Sequence, residues 1–266
     1  MFENMINKII LGDSYKLIKN IPDKSIDLVI IDPPYEYVTG GKNNFISKRP
    51  YNAEMYKVAK KTYKQNDDKI KNRKEIDHLS YGIDYSILEE LDRIMKKINI
   101  YVWCSKRQIG KILNHYESKG CNIDILTWHK DNVLPTANNT YLNDTEYCIF
   151  AREEGVKVFG TYETKNKYYV SHTNVKDKEL YKHPTIKPLT IIENLIINSS
   201  SENDIVLDCF CGSGTTCVAS KKLKRKFIGI EIDKEYHRIA INRLNGITAN
   251  GQMSIFTNFE FEEVEK

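Results

Sequence analysis

The sequence predicts an α/β fold in which about seven strands form a mostly parallel sheet with helices on both faces. Short apolar runs alternate with segments of helical periodicity along most of the chain. One run, Ile26–Ile31, is apolar at nearly every position, which is typical of a strand buried on both faces. Another run, Ile205–Asp208, leads through a glycine-containing turn into a helical segment. Together these patterns favour a parallel sheet.

Seven apolar runs account for the predicted strands. They are Lys8–Leu11, Ile26–Ile31, Ile100–Trp103, Ile123–Trp128, Glu146–Phe150, Ile205–Asp208 and Phe227–Glu231. Pro33 and Pro34 end the second strand, because proline cannot donate to the ladder of a sheet. Residues 36–80 have no clear periodicity, and 129–145 form a predicted loop.

Capping residues and apolar residues at helical spacing define the predicted helices. Two helices begin with the pattern of a capping box, in which the side chains of a Ser and of a Glu or Gln bond each other's backbone N–H groups. The predicted helices are 15–19 behind a cap at Asp13 or Ser14, one from Ser86 through Ile98, one from Ser105 to Gly120, one from Pro188 through Ile196, one that ends near Lys222, and one from Tyr236 through Leu244.

Length and composition are those of a soluble globular protein. With 266 residues, 41% hydrophobic and 29% charged, the chain can bury one large core, and we expect a single catalytic domain over 1–266. It has no run of ~18 apolar residues, so we expect no transmembrane helix and no membrane partner. The N-terminal Met-Phe-Glu-Asn lacks the features of a signal peptide, so we expect a cytoplasmic location.

The six cysteines are best explained as small buried residues. They are Cys104, Cys121, Cys148, Cys209, Cys211 and Cys217. No two are spaced as Cys-x-x-Cys, the usual zinc pattern, and disulfides are rare in cytosolic proteins. We therefore expect no metal, although the close pair Cys209 and Cys211 keeps a metal site open as an alternative.

A glycine-containing turn at 208–216 is a candidate ligand site. Gly212 and Gly214 allow a tight turn and a close backbone approach, and the helix that follows offers free N–H groups to a carboxylate or phosphate. The turn has neither the dinucleotide fingerprint nor the P-loop pattern. Glu231, 17 residues after Gly214 at the tip of the next strand, can accept from both hydroxyls of a ribose. A nucleoside-bearing cofactor is predicted; a tight turn without ligand is the alternative.

The tetrapeptide Asp32-Pro33-Pro34-Tyr35 is a candidate clamp for an aromatic amine. The prolines stiffen the strand end and leave carbonyl groups outside the ladder. A carboxylate and a rigid carbonyl can then accept both hydrogens of one NH₂ group, while the tyrosine stacks on the ring. Asp-Pro-Pro also occurs in ordinary turns, which is the alternative.

A basic segment follows the tetrapeptide. Residues 41–75 hold eleven Lys/Arg against four Asp/Glu, a net of +7, with four aromatic residues interleaved. A polyanion-binding loop has this composition, and so does a solvated surface loop. The whole chain carries only +4, which does not by itself indicate nucleic acid.

Three motifs together resemble the amino-methyltransferases of DNA. They are the tetrapeptide at 32–35, the turn at 208–216, and His183-Pro184-Thr185-x-Lys187-Pro188. Their order, with the catalytic motif first and the cofactor turn last, is similar to the β group of that family. The resemblance covers 9–35 and about 101–244, but not 36–80. It implies a Rossmann-like methyltransferase fold and transfer of a methyl group to an exocyclic amine of a DNA base.

The resemblance also implies S-adenosyl-methionine as cofactor. Matched position by position, the cofactor-binding residues would be Asp13, Asp32, Lys187, Asp208, Phe210, Gly212, Gly214, Thr215, Thr216 and Glu231. Among these, Glu231 would bind the ribose hydroxyls, Asp13 the adenine amine, and Lys187 would close over the methionine end. Cys209 stands where the family often has Pro, and Cys211 where its residue varies. Both are small and semi-apolar, so we expect binding to survive.

In the implied mechanism, Asp32 and the Pro33 carbonyl accept the two amine hydrogens and aim the nitrogen lone pair at the methyl group, with Pro34 and Tyr35 completing the clamp. No covalent intermediate and no metal are needed. The base must flip out of the duplex, and we expect it to stack on Tyr35. Adenine N6 is the expected target. Cytosine N4 is the first alternative, and RNA, a glutamine amide or a silent DNA-binding module are further ones.

The implied partner is double-stranded DNA. Residues 36–80 would form a basic insert or lid at the mouth of the site, with DNA contacts at Lys57, Lys60, Lys61 and Lys64. Residues 152–182 are a candidate target-recognition region. A homodimer is a candidate because dimers are common in the family that the chain resembles. A separate restriction endonuclease is a candidate because the chain has no endonuclease motif.

Overall fold

The computed structural model describes residues 2–36, 82–133, 141–173, 179–181 and 185–248. Within these ranges eight strands form one sheet. They are β1 (Lys8–Leu11), β2 (Leu28–Ile31), β3 (Asn99–Cys104), β4 (Asn122–Lys130), β5 (Thr145–Arg152), β6 (Tyr168–Ser171), β7 (Ile205–Asp208) and β8 (Lys226–Glu231).

Six α-helices accompany the strands in the same ranges. They are α1 (Ser14–Leu17), α2 (Ser86–Ile94), α3 (Ile109–Glu117), α4 (Leu189–Ser199), α5 (Thr215–Lys222) and α6 (Lys234–Leu244). None of the described helices is long and apolar enough to cross a membrane.

The sheet has the strand order β1-β8-β7-β2-β3-β5-β4-β6. Every neighbouring pair is parallel except the two pairs made by β5, which runs against β3 and β4. The α/β fold with a mostly parallel sheet is therefore confirmed. Because β5 is reversed, its first residues lie at the same edge of the sheet as the carboxyl ends of the other strands.

Helices cover both faces of the sheet, as predicted. Along β2 the side chains alternate, so Val29 and Ile31 join one buried cluster while Leu28 and Ile30 join another. The first cluster packs under α2 and α3, and the second packs under α4. Full burial on both sides explains why the sequence of this strand is apolar at every position from Leu28 to Ile31.

The eighth strand, β6, lies inside the region 152–182 that we predicted for target recognition. Among the described residues it pairs with β4 alone, at the edge of the sheet, and its residues alternate between exposed and half-buried. The sequence Tyr-Tyr-Val-Ser is too short and too polar on one side to give a strong strand signal. The prediction of about seven strands is thus close to the eight that the described residues form, and β6 is the strand that it did not include.

The region 152–182 is divided between the two edges of the sheet. Residues before β6 reach the end of α4: Asn198 accepts through its backbone carbonyl from Phe159 N (2.7 Å), and its side chain donates to Thr164 O (2.7 Å). That is the amino edge of the parallel strands. β6 then carries the chain toward the carboxyl edge, where Ser171 lies beside Lys130. The target-recognition role stays a prediction, and the end of β6 brings this region to the carboxyl edge.

One predicted cap differs from the structure and one agrees with it. The N-cap position of α2 is Tyr85, which makes no side-chain cap bond, and the N–H of Ser86 donates to Asp84 Oδ1 (3.0 Å), so Ser86 does not cap this helix. In α1 the cap is Asp13, which accepts from Tyr15 N (3.0 Å). Ser14, the other candidate, instead donates to the carbonyl oxygen of Cys209. A serine hydroxyl can cap or bond a distant carbonyl, and only the packing of the strands decides which.

The backbone at Gly214 leads to a test of the turn before α5. This residue has φ +77°, and an added Cβ would lie 3.1 Å from the Cβ of Ala240 in α6. We expect Gly214→Ala to lower the free energy of unfolding by about 1–3 kcal/mol, because it combines left-handed backbone with crowding. Urea unfolding measures this. Gly110→Ala, in α3 with open space around the Cβ position, is the control and should not destabilise the protein.

Candidate active site

A pocket opens at the carboxyl edge of the sheet, where β2 lies beside β7. Chain connections leave these two neighbours in opposite directions, toward β3 and toward β8, so a crevice forms between them. The predicted residues that line this pocket are Asp13, Asp32, Pro33, Pro34, Tyr35, Lys187, Asp208, Phe210, Gly212, Thr215, Thr216 and Glu231. Gly214 does not line it; it shapes the turn and packs against α6.

The predicted DNA contacts cannot be placed in the same way. Lys57, Lys60, Lys61 and Lys64, with almost all of the predicted basic insert at 36–80, lie outside the described residues. Their contact with DNA stays a prediction. Glu36, the last described residue before that segment, bonds the residues around β3, so the insert leaves the described chain close to the tetrapeptide.

The tetrapeptide is held in place by Gln108, a fully buried residue just before α3. Its Nε2 donates to the carbonyl of Pro34 (3.1 Å), and its Oε1 accepts from the N–H groups of Ser105 (3.0 Å) and Glu36 (3.3 Å). The Ser105–Gln108 capping pattern therefore forms only its glutamine half. The sequence marked Gln108 as a cap, but its bonds to the tetrapeptide depend on the position of β2 next to β3.

A buried group of charges surrounds Asp32. The ammonium of Lys187 lies 2.5 Å from Asp32 Oδ2, 3.0 Å from Glu146 Oε2 and 3.2 Å from the hydroxyl of Tyr35. Glu146 forms a second ion pair with Lys130 at the end of β4. Sequence reasoning missed Glu146 and Lys130, because nothing in the local pattern distinguishes them from surface charges.

Lys187 therefore lies at the tetrapeptide in the structure. The resemblance implied that it closes over the methionine end of the cofactor. For that contact the ammonium would have to leave Asp32, and the cofactor role of Lys187 remains a prediction.

Burial and ion pairing set the ionisation of these groups. Burial raises the pKa of Asp32 above its usual range, and the neighbouring Lys187 opposes that shift. Burial also works against the charge on Glu146, but Lys187 and Lys130 lower its pKa to about 2. Burial disfavours the Lys187 ammonium, yet the two carboxylates raise its pKa above the ordinary value. Lys187 and Glu146 are therefore charged at neutral pH.

The other half of the pocket contains Glu231 at the end of β8. Its Oε2 accepts from Gly212 N (2.9 Å) and its Oε1 from Asp233 N (2.7 Å). Each carboxylate oxygen can accept further hydrogen bonds, so the orientation of the group is fixed while acceptor sites remain. A buried, oriented carboxylate beside a glycine turn suits a pair of vicinal hydroxyls, and the ribose-binding role of Glu231 stays a prediction.

Arg243 in α6 stabilises the glycine turn through hydrogen bonds. The guanidinium donates to the hydroxyls of Ser213 (3.1 Å) and Thr215 (2.6 Å) and lies 5.0 Å over the ring of Tyr181. Sequence reasoning missed this role, because Arg243 resembles any polar residue in an amphipathic helix. Arg243 thus stabilises the start of α5, where the free N–H groups of the helix lie.

Asp208, at the end of β7, is the acidic group at the centre of the crevice. Its Oδ1 accepts from Phe210 N (3.1 Å), and the Thr216 hydroxyl also bonds the carboxylate. Burial raises the pKa of Asp208 to about 7, although these two hydrogen bonds act against the shift. The charge of the pocket therefore changes near neutral pH.

The cysteines are free thiols, and all except Cys121 are buried. Burial raises the pKa of the Cys209 thiol well above its ordinary value, so this group is a poor nucleophile. Among the described residues, one group could offer metal ligands, formed by Glu89, Asp92 and His115. It lies away from the pocket, and Lys119 already pairs with both carboxylates.

Comparison with known proteins identifies the family. A family model described as DNA methylase matches residues 26–242, which include the tetrapeptide, the glycine turn and Glu231. The chain belongs to this DNA methylase family. The predicted resemblance to the DNA amino-methyltransferases is thereby confirmed.

Individual relatives align over almost the whole methylase. The Type II methyltransferase M2.LlaDCHI of Lactococcus lactis subsp. cremoris is 34% identical, over 91% of this chain and 90% of its own length. The DNA adenine methyltransferase YhdJ of Escherichia coli (strain K12) is 28% identical, over 92% and 84%. The solved structure of the M1.HpyAVI-SAM complex is 29% identical, with a TM-score of 0.58, over 90% of this chain and 98% of that one.

The pKa of Asp208 leads to a test of the methylase by pH. A carboxyl group with a raised folded-state pKa stabilises the fold fully below its unfolded value, near 3.8, and loses that contribution as pH rises toward 7. We expect the unfolding free energy of the wild type to fall relative to Asp208→Asn between pH 4 and 7, by at most about 1.4 kcal/mol per pH unit. Urea unfolding of both proteins at several pH values measures the difference; parallel curves would contradict the assignment.

Proposed function

We propose that this methylase transfers a methyl group from S-adenosyl-methionine to the exocyclic N6 of an adenine that is flipped out of double-stranded DNA. The observation that carries the proposal is that one pocket joins the tetrapeptide at the end of β2 to Glu231 and the glycine turn. The amine acceptor and the nucleoside site thus face the same crevice. The family match supports DNA as the substrate.

S-adenosyl-methionine fits the donor set of the pocket. Glu231 offers an oriented carboxylate to two hydroxyls, and Asp13 offers a second one at the edge of the same half. The N-terminus of α5 suits the carboxylate of a methionine. Asp208 suits a positive charge when it is ionised. The M1.HpyAVI relative, at 29% identity, is named as a complex with this cofactor.

The residues of the tetrapeptide act on the amine. The lone pair of an aromatic amine is delocalised into the ring, so the nitrogen is a poor nucleophile. Asp32 and the Pro33 carbonyl accept its two hydrogens, which favours a pyramidal nitrogen, and the Tyr35 ring stacks on the base. The bound cofactor supplies an electrophilic methyl group. Asp32 is also the nearest base for the proton that the amine must lose.

Adenine is proposed over cytosine because one relative of this methylase is named for adenine. YhdJ is named a DNA adenine methyltransferase. The clamp for an NH₂ group would have the same form for cytosine N4. The chemical identity of the modified base therefore distinguishes the two targets.

The function is tested by methylation of DNA. Incubation with methyl-labelled S-adenosyl-methionine and mixed-sequence DNA should place the label in N6-methyladenine, identified after digestion to nucleosides. Asp32→Ala should abolish transfer and keep cofactor binding, because the acceptor is lost and Glu231 is unchanged. Asp124→Ala is the control. It removes a carboxylate on β4 that pairs with Lys167, and the variant should transfer normally. Label in N4-methylcytosine, or none, would contradict the proposal.

The DNA contacts proposed for the basic insert have a separate test. Replacing Lys60, Lys61 and Lys64 together by Ala should weaken binding to duplex DNA. It should also reduce the slope of log affinity against log salt by about 0.9 for each DNA phosphate that the variant no longer neutralises. A filter-binding or anisotropy titration at several salt concentrations measures both quantities. Unchanged affinity and slope would place the DNA contacts elsewhere.

The biological setting is proposed as restriction-modification. M2.LlaDCHI is named a Type II methyltransferase. A homodimer, a separate restriction endonuclease as partner, and a cytoplasmic location all remain proposals. Light scattering of the purified methylase tests the first of these.

A further inference from the structure

Glu146 is an acidic residue beside the tetrapeptide that the proposed mechanism does not use. It stands at the start of β5, the reversed strand, so its side chain reaches the carboxyl edge of the sheet. Its Oε2 lies 3.0 Å from the ammonium of Lys187 and 3.2 Å from the hydroxyl of Tyr35. Its Oε1 pairs with Lys130. Both carboxylate oxygens are therefore held, one on each side.

The ammonium of Lys187 is fully engaged between two carboxylates. It contacts Asp32, Glu146 and Tyr35, so each of its three hydrogens has an acceptor. Lys187 is only 7% exposed. The ammonium therefore connects the two functional side chains of the tetrapeptide to a carboxylate on another strand. That carboxylate in turn is fixed by Lys130.

We propose that Glu146 is a positioning residue for methyl transfer. Through its contacts with Lys187 and Tyr35, it fixes the positions of the Asp32 carboxylate and the Tyr35 ring relative to the target base. The inference rests on the proposed function, because it assigns Glu146 to the same reaction. Glu146 need not touch the base. Without it, Lys187 would pair with Asp32 alone and would draw that carboxylate out of line, while the Tyr35 hydroxyl would lose an acceptor.

An ion pair outside the pocket provides the comparison. Glu193 in α4 pairs with Lys222 in α5 at 2.8 Å, and its side chain is 15% exposed against 18% for Glu146. Glu193 does not line the pocket. Both residues are half-buried glutamates that bind a lysine, but only Glu146 contacts a tetrapeptide side chain.

The charges that face Asp32 predict opposite effects for two variants. Lys187 lowers the pKa of Asp32 and Glu146 raises it, on top of the larger effect of burial. The other groups that face it are the Tyr35 hydroxyl, the Cys104 and Cys148 thiols on β3 and β5, and the Asp208 carboxyl on β7. Glu146→Gln removes a negative neighbour, whereas Lys187→Met removes the positive one. The Asp32 carboxyl group must be ionised to accept a hydrogen of the target amine. A change in its pKa therefore moves the acid limb of the pH–rate profile, the pH range in which the rate falls as Asp32 becomes protonated.

The test is the single-turnover rate of methyl transfer to DNA as a function of pH. In Glu146→Gln we expect a plateau rate about 10 to 100 times lower, because misplaced reacting groups lose rate steeply. Its acid limb should shift to lower pH, and its affinity for S-adenosyl-methionine should stay within about twofold of the wild type. In Lys187→Met the acid limb should shift to higher pH. Glu193→Gln should match the wild type in its plateau rate and in the pH of its acid limb.

Several outcomes would overturn the inference. One is a folded Glu146→Gln protein that transfers at the wild-type rate with an unshifted acid limb. Another is an equal loss in Glu193→Gln, which would mean that any such ion pair acts only through stability. If Glu146→Gln does not fold, Lys187→Met decides, and an unmoved limb overturns the proposal. A wild-type protein that methylates no DNA would instead overturn the proposed function.

Discussion

The pairing of β2 with β7 is the constraint on which the rest of the site depends. Val29 and Leu207 are register partners, and the Asp27 carboxylate accepts from Ile205 N (2.9 Å) at the start of the two strands. The parallel register brings Asp32 and Asp208 to the same edge. The strand order places β3 on one side of the pair and β8 on the other, so the carboxyl ends of β2 and β7 lie at a switch point of the sheet. The tetrapeptide and the glycine turn, far apart in sequence, thereby line one pocket.

The carboxylates at that edge are tolerated because cations and N–H groups oppose them. A buried carboxylate loses the solvation of water, and the loss is offset only by well-placed partners. Lys187 and Lys130 form ion pairs with Glu146, and Lys187 also forms one with Asp32. Burial raises the pKa of Asp208 to about 7, and hydrogen bonds from Thr216 and the Phe210 N–H act against the shift. A bound cation beside Asp208 would complete the set, which fits a sulfonium cofactor.

Patterns that are local in sequence predicted much of the molecule. Burial and backbone geometry, which depend on neighbouring residues, account for these features. They are seven of the eight strands, the helices on both faces, the tetrapeptide and the glycine turn. What these local patterns did not predict depends mainly on distant contacts. Ser14 donates to the carbonyl oxygen of Cys209, and Gly214 lies against Ala240 in α6. β6 exists only because β4 offers it an edge.

The sequence by itself determined the family, the cofactor class and the two motifs that line the pocket, because these are encoded in short runs of neighbouring residues. Only the tertiary structure decided what holds those runs in place. Gln108, Glu146 and Arg243 each bond a motif from another element. The sequence marks Gln108 only as a helix cap and does not mark Glu146 or Arg243, since a glutamate or an arginine at these positions also suits a solvated surface. Their roles follow from strand order and from the reversal of β5.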